Sequence, residues 1–420
     1  MTHVIEWGAY GIIGLSLVQV VVALYGLVWR RLAETRHARH MLTVFAQRVR
    51  IDAERRLEEQ RHAALSWEGW RKFRIDRKVR ETEDICSFYL TAHDGKPIPS
   101  FLPGQHIAVS LDIPNQTAPV IRCYTLSEAP SAIQTHYRIT VKRVRPFALG
   151  QGIPSASNFL YDSLEEGATV DIRMPEGRFF LDVNDDRPVV MVGGGIGITP
   201  FISMLTALAH APKRREAWLF YGVRNEAQEI MHEHLRRLAK SCDTLHVLVC
   251  HSAPVGPPGT GYDYRGHVTI DMLRQTLPAS NYLFYVCGPP PMMEAITSGL
   301  RAWGVPDKDI RIEAFTPDSI RAGDGGRRPG GQEGARIVFN RSGKTLQWTG
   351  EQHSLLDLAE ANGIILATGC RTGKCGACTT SVLRGSICHV DEPPATFDHE
   401  QKRCLVCIAV PNSSELVLDA

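Results

Sequence analysis

The stretch Gly369-Cys370-Arg371-Thr372-Gly373-Lys374-Cys375-Gly376-Ala377-Cys378 sets three cysteines in a C-x4-C-x2-C run. A fourth, Cys407, follows in Cys404-Leu405-Val406-Cys407-Ile408-Ala409-Val410-Pro411. Thiolates at this spacing converge on the irons of a [2Fe–2S] cluster, the last ligand arriving from a distant part of the chain. Such a loop must turn tightly to aim its sulfurs inward, and Gly369, Gly373 and Gly376 permit positive φ. Zinc is the competing chemistry, because zinc sites often join two CxxC pairs and Cys404-x2-Cys407 supplies a second one. The uncommon C-x4-C-x2-C run and its glycines favour iron and sulfur, with Cys370, Cys375, Cys378 and Cys407 as ligands. A cluster of this kind moves one electron at a time. The rest of the chain has to show where electrons enter and where they leave.

Length and composition set the frame. The 420 residues suffice for about three domains. Hydrophobic content of 44% and charged content of 22% are those of globular material. A net charge of +2 gives no electrostatic case for nucleic acid. Cys86, Cys123, Cys242, Cys250, Cys287 and Cys388 have no framework spacing, which suits a reducing compartment.

The N-terminal segment has a different character. Residues 9–29, AYGIIGLSLVQVVVALYGLVW, are uncharged and match the roughly 20 residues of a transmembrane helix. Trp7, Tyr10, Tyr25 and Trp29 lie toward its ends, and Arg30, Arg31, Arg36 and Arg39 follow it. The expectation is a single-pass membrane anchor over 1–30, with the catalytic domains on the cytoplasmic side. Residues 31–66 are rich in Arg, Glu, Ala and Leu without Gly or Pro, and read as a solvated helical spacer.

From Trp67 onward the pattern turns to short strands. Arg71 to Leu90 alternates, Pro103-Gly104-Gln105 leads into 106–111, and 138–143 is a further strand, the pattern of a β-barrel. Arg122-Cys123-Tyr124-Thr125 sits among them. An aromatic ring such as Tyr124 can stack on an isoalloxazine face, and a guanidinium such as Arg122 can grip a pyrophosphate. The order of PGQ, R-x-Y-T, Val141-Lys142-Arg143 and Ser157-Asn158-Phe159-Leu160 resembles the flavin domain of the ferredoxin–NADP reductase superfamily. That resemblance implies FAD rather than the FMN of the phthalate dioxygenase reductase branch. It implies contacts from Arg122, Cys123, Tyr124, Thr125, Val141, Lys142, Ser157 and Asn158. The family's phosphate-binding serine has no clear counterpart in Gly150 to Ser157.

An apolar run, Arg187 to Val192, then enters Gly193-Gly194-Gly195-Ile196-Gly197-Ile198-Thr199-Pro200 and a helix. Strand, glycine turn and helix start make a phosphate cradle, with Thr199 expected as N-cap and Pro200 as first helical residue. The spacing is not G-x-G-x-x-G; it resembles the G-G-x-G-x-T-P form of the same superfamily. Strand-like 217–221 and 282–286, with helices between, indicate a doubly wound α/β domain. The resemblance implies nicotinamide-nucleotide contacts from Gly194, Gly195, Gly197, Thr199, Arg224, Gly288 and Pro289. It further places Cys287, Tyr124 and Glu313 at the reacting centre, and lays Phe315 over the flavin. Arg224 leaves NADPH open; NADH is the favoured donor.

The stretch 317–334 reads as a flexible linker. A hairpin at 336–346 and a helix over 354–361, capped by Ser354, follow it. Residues 335–420 resemble a plant-type, β-grasp ferredoxin, in which Cys407 takes the fourth ligand place, Cys404 is the alternative and Cys388 is structural. The expected architecture is therefore a transmembrane helix (1–30), a spacer (31–66), an FAD-binding barrel (67–183), an NAD(P)-binding α/β domain (184–316), a linker (317–334) and a [2Fe–2S] ferredoxin domain (335–420). That order resembles oxygenase reductases and the reductase of hybrid-cluster protein. It implies a reductase that passes single electrons from NAD(P)H to an oxygenase, hydroxylase or desaturase. The alternatives are direct reduction of quinone or ferric iron, and a non-catalytic redox sensor.

Overall fold

The computed structural model describes Leu24, Tyr25, Trp29, Phe45, Val49, Ala53, Arg56, Leu57 and residues 60–114, 119–144, 156–255, 261–278, 281–313, 315, 330–364, 366, 373, 376, 378–390 and 402–420. The chain divides into two units, Met1–Leu65 and Ser66–Ala420. In the first, the described residues are helical, and Trp29 Nε1 donates to the Tyr25 hydroxyl at 2.7 Å. The expected transmembrane helix is corrected here: among the described residues no helix is long and apolar enough to cross a membrane. Most of 9–29 and of the 31–66 spacer lies outside the described residues.

The second unit begins with six antiparallel strands: β1 (Arg71–Arg80), β2 (Ile85–Ala92), β3 (His106–Leu111), β4 (Val120–Thr125), β5 (Tyr137–Lys142) and β6 (Thr169–Ile172). Their order is β4-β3-β6-β1-β2-β5. A bridge between Leu126 and Ile139 joins the two edges and closes the sheet on itself. Phe73, Ile75, Phe88, Ile107, Tyr137 and Ile139 fill the inside, as the period-2 alternation requires. A short helix, α1 (Ala156–Ser163), covers one mouth with Ala156, Leu160 and Tyr161.

A parallel sheet follows, ordered β10-β9-β8-β7-β11-β12: β7 (Val189–Gly194), β8 (Ala217–Val223), β9 (Leu245–His251), β10 (Tyr264–Arg265), β11 (Leu283–Cys287) and β12 (Ile310–Glu313). Helices α2 (Thr199–His210), α3 (His232–Ser241), α4 (Ile270–Thr276) and α5 (Pro290–Ala302) connect the strands. Strand β7 is buried at all six positions, which explains its unbroken apolar run. The chain order reverses between β7 and β11, so the crevice at their carboxyl ends is the topological switch point. Gly104, at φ 100, faces Met204 and the Phe179 carbonyl so closely that any side chain there would collide. The PGQ turn thus packs barrel and sheet together. The Tyr285 hydroxyl also donates across to the Phe180 carbonyl at 3.0 Å.

The last part has a mixed sheet, β14-β13-β19-β15-β17, and a two-stranded ribbon. Its elements are β13 (Arg336–Phe339), β14 (Lys344–Gln347), α6 (Leu355–Ala361), β15 (Thr379–Arg384), β16 (Ile387–His389), β17 (Arg403–Leu405), β18 (Ala409–Pro411) and β19 (Glu415–Leu418). The Ser354 hydroxyl accepts from Asp357 N at 3.2 Å and caps α6 as its sequence predicts. Trp348, Phe339 and Leu355 anchor a separate core. Most of the 317–334 stretch lies outside the described residues.

Candidate functional site

At the switch point two turns meet backbone to backbone. Cys287 pairs with Gly193 on one side and Glu313 on the other. A Cβ on Gly194 would stand 2.6 Å from Pro289 Cδ, and one on Gly288 would stand 3.0 Å from Gly194 N. A Cβ on Gly197 would overlap the Cys287 carbonyl. Gly195, at φ 54, faces open space. The glycines therefore do two jobs: three permit close packing of turns, and one leaves a gap where a phosphate can approach peptide N–H groups. That cradle fits a dinucleotide.

The helix start differs in detail from expectation. Residues Gly195–Ile198 form a 3-10 turn, α2 begins at Thr199, and Ile198 occupies the capping position. The Thr199 hydroxyl points back to the Ile196 carbonyl at 3.1 Å rather than onto the helix. Tightening of the turn before the helix has taken over the role of a side-chain cap.

Cys287 is fully buried, and burial together with the Glu313 charge pushes its thiol well above the ordinary range. At neutral pH it is a protonated, uncharged group at the foot of the crevice. That makes it a packing and polarity element rather than a nucleophile. Phe315, just past β12, is partly exposed.

On the barrel, Tyr124 is half-buried and its hydroxyl lies 3.2 Å from Ser157 Oγ. Desolvation pushes its phenol up to about 12. Arg122 is exposed, with Nη1 donating to the Ile121 carbonyl at 2.7 Å, and Thr125 is buried at the strand end. Cys123 pairs with Ala108 on β3. Asn158 clamps the chain after β5: its Oδ1 accepts from Val144 N at 2.7 Å and its Nδ2 donates to Val144 O at 2.9 Å. Val141 sits in the barrel core, and Lys142 Nζ lies 4.0 Å from Asp84 Oδ2. Tyr124 and Ser157 are thus brought together, while the Val141 side chain lies in the barrel core and Lys142 stands near Asp84. Gly150 to Ser155 lies outside the described residues. An aromatic face beside a hydroxyl pair at a barrel mouth fits a flavin ring.

In the ferredoxin-like part, Cys378 Sγ and Cys407 Sγ approach to 3.1 Å, both buried. That is far longer than the roughly 2.05 Å of a disulfide, so the two thiols meet without a disulfide. Gly373 and Gly376 have φ of 75 and 66, the left-handed conformation their place in the loop predicts. Cys370 and Cys375 lie outside the described residues. Cys404 is buried on β17, paired with Thr380, and burial then the Cys378 charge push its thiol up to about 12. Cys378 and Cys407, brought together, fit two of the four thiolate ligands of such a cluster.

Sequence reasoning missed one group beside this machinery. Glu229, nearly buried, accepts from both His232 Nδ1 at 2.5 Å and His251 Nε2 at 3.0 Å. Tyr262 stacks on His251 with centroids 4.9 Å apart. The cluster braces the carboxyl ends of β8 and β9, on the side of the sheet where ligands bind. Nothing in the spacing of Glu229, His232 and His251 marks them as a group in the sequence.

Comparisons with known proteins agree with this geometry. Residues 72–181 match the oxidoreductase FAD-binding domain, 191–298 the oxidoreductase NAD-binding domain, and 337–412 the 2Fe-2S iron-sulfur cluster binding domain. The flavohemoprotein of Rhodopirellula baltica is 38% identical over 264 residues, 62% of this chain and 64% of that one. The flavohemoprotein of Oceanobacillus iheyensis is 34% identical over 259 residues, 62% of each chain. The matched region spans less than two thirds of either relative. Among solved structures, phthalate dioxygenase reductase, described as modular for electron transfer from pyridine nucleotides to [2Fe–2S], is 27% identical with a TM-score of 0.51. It covers 84% of this chain and 98% of its own. The FAD/NAD-binding domain of Vibrio cholerae nitric oxide dioxygenase is 26% identical, TM-score 0.52, over 59% of this chain and 99% of that one. Three domains in this order, on a backbone shared with a reductase along nearly its whole length, place the chain in the ferredoxin–NADP reductase superfamily, among the members with a C-terminal [2Fe–2S] ferredoxin domain.

Proposed function

We propose that the protein is an NAD(P)H-dependent flavin/[2Fe–2S] reductase that passes single electrons to an oxygenase, hydroxylase or desaturase. The observation that carries this reading is the convergence of Cys378 and Cys407 at 3.1 Å in the same compact unit as the nucleotide crevice and the flavin barrel. When bound, the flavin accepts a hydride's two electrons and releases them singly to the cluster.

The chain's own residues bind, orient and exclude. The Gly194–Gly197 turn offers N–H groups to a pyrophosphate. Cys287, fully buried, adds no charge of its own at the foot of the crevice. Tyr124 presents its face to a flavin ring, and its bond to Ser157 fixes the ring plane. Beside the exposed Arg224, Glu226 holds a carboxylate whose acidity is raised first by its own backbone N–H. An anion there disfavours the extra phosphate of NADPH, which supports NADH as donor.

Acceptor choice tests the proposal. NADH turnover with ferricyanide and with cytochrome c is expected in the purified protein. Cys407→Ser should abolish the cytochrome c rate and spare ferricyanide. Equal loss of both would count against a cluster outlet. Quinone reduction at the full ferricyanide rate after Cys407→Ser would instead favour direct reduction of a small acceptor.

A further inference from the structure

We propose that Arg173 is a positioning residue that seats the cluster-ligand loop on the flavin barrel and raises the cluster's reduction potential. This rests on the iron–sulfur reading given above.

Arg173 follows β6 and is held where it stands by several contacts. Its backbone N–H donates to the Ala108 carbonyl at 3.0 Å, tying it to β3. Arg71 and Ile172 face one another in the pairing of β1 with β6, so Trp70 and Arg173 fall opposite each other at the ends of those strands. The guanidinium lies over the Trp70 ring, 4.8 Å from its centroid. The stack holds the guanidinium in place, with Nη1 on the side of the ferredoxin part.

Beyond that edge is the ferredoxin part. A methyl built on Gly376 would stand 3.7 Å from Arg173 Nη1. Gly376 directly follows Cys375 and precedes Cys378 by two residues. The turn is firm: Thr379 donates to the Gly376 carbonyl through Oγ1 at 2.6 Å and through N at 3.1 Å. A fixed cation from the flavin barrel therefore meets the loop between two cluster ligands, at a residue with no side chain to keep it away. The two parts of the chain are separated by some two hundred residues, so the contact is a choice of tertiary structure, not a neighbour effect.

Charge gives the contact a consequence. A cluster bound by four thiolates is an anion in both states and gains a further negative charge on reduction. A nearby guanidinium stabilises the reduced form more than the oxidised one, which raises the potential.

The test is an EPR-monitored redox titration of the full-length holoprotein, with iron, acid-labile sulfide and FAD measured on each variant. Arg173→Gln is expected to shift the cluster's one-electron reduction equilibrium about tenfold toward the oxidised form, which is about 59 mV lower. The flavin potential should stay in place, and Arg173→Lys should restore the cluster's value to within about twofold because charge, not shape, sets it. An unmoved cluster potential in Arg173→Gln overturns the proposal, as does an equal shift of flavin and cluster. If Arg173→Gln fails to fold, Trp70→Leu should produce a smaller shift in the same direction, and no shift there overturns it as well. Absence of iron and sulfide from the wild type defeats the iron–sulfur reading itself. A loaded wild type with unresponsive variants defeats this inference alone.

Discussion

Gly197 lies so close to the carbonyl of Cys287 that no side chain fits between them. That contact locks the turn after β7 to the turn after β11, and the crevice between the two strands keeps its shape because neither backbone can retreat. The glycine at each turn thus answers one structural requirement seen twice.

Gly197→Ala forces the turns apart. The obstacle is backbone, so relief requires moving β7 or β11, at a cost of about 1–3 kcal/mol. Lower thermal stability is expected, along with a KM for NADH raised at least about tenfold. FAD content should stay near that of the wild type. Steady-state ferricyanide reduction and a melting curve measure all of this.

Cys404 and Cys407 separate cleanly by substitution. Cys407→Ser removes the sulfur that meets Cys378 and should eliminate bound iron and sulfide while leaving the yellow flavin. Cys404→Ser replaces a buried thiol paired into the sheet and should keep the cluster, with a stability loss of about 1 kcal/mol. Iron, sulfide and FAD assays on both proteins decide the fourth ligand.

Tyr124 supplies two separable things to a flavin, a ring face and a hydroxyl. Tyr124→Phe loses only the bond to Ser157, worth about 1 kcal/mol, so FAD affinity should fall less than about tenfold. Tyr124→Ala removes the face too, and an aromatic contact adds about 0.5–1.5 kcal/mol beyond burial. Fluorescence titration of apoprotein with FAD should therefore rank wild type, Phe and Ala in that order.

Alkaline pH should destabilise the fold before any buried phenol ionises within it. Burial raises Tyr124 and Tyr282 from 10.0 to about 12, and Cys250 from 9.0 to about 12. Groups whose folded value is raised contribute stability that is complete below their unfolded values and lost as pH climbs toward the folded ones. Urea midpoints should hold steady up to about pH 8 and fall steadily between about pH 9 and 12. For the same reason Cys287 should resist alkylation at neutral pH while exposed Cys388 reacts, as peptide mapping would show.

What the sequence disclosed, and what it withheld, follows from how local each requirement is. Cys378 and Gly376 announce themselves because ligand spacing and positive φ are demands on a few adjacent residues. The glycine turn after β7 and the cap at Ser354 are legible for the same reason. Residues 9–29 satisfied a rule that counts apolar length, yet no helix of the described residues is long and apolar enough to cross a membrane. Arg173 beside Gly376, and Glu229 between His232 and His251, left no pattern at all. Each contact joins residues distant in sequence or side chains of ordinary type, and only the packed fold brings them together.

The most direct measurement is an anaerobic titration of the purified protein with NADH, followed by absorbance and low-temperature EPR. Bleaching of the flavin band should be accompanied by the S = 1/2 signal of a reduced [2Fe–2S] cluster, and Cys407→Ser should keep the bleaching and lose the signal. Zinc in place of iron, or a flavin that bleaches fully while no such signal appears in the wild type, would contradict the account.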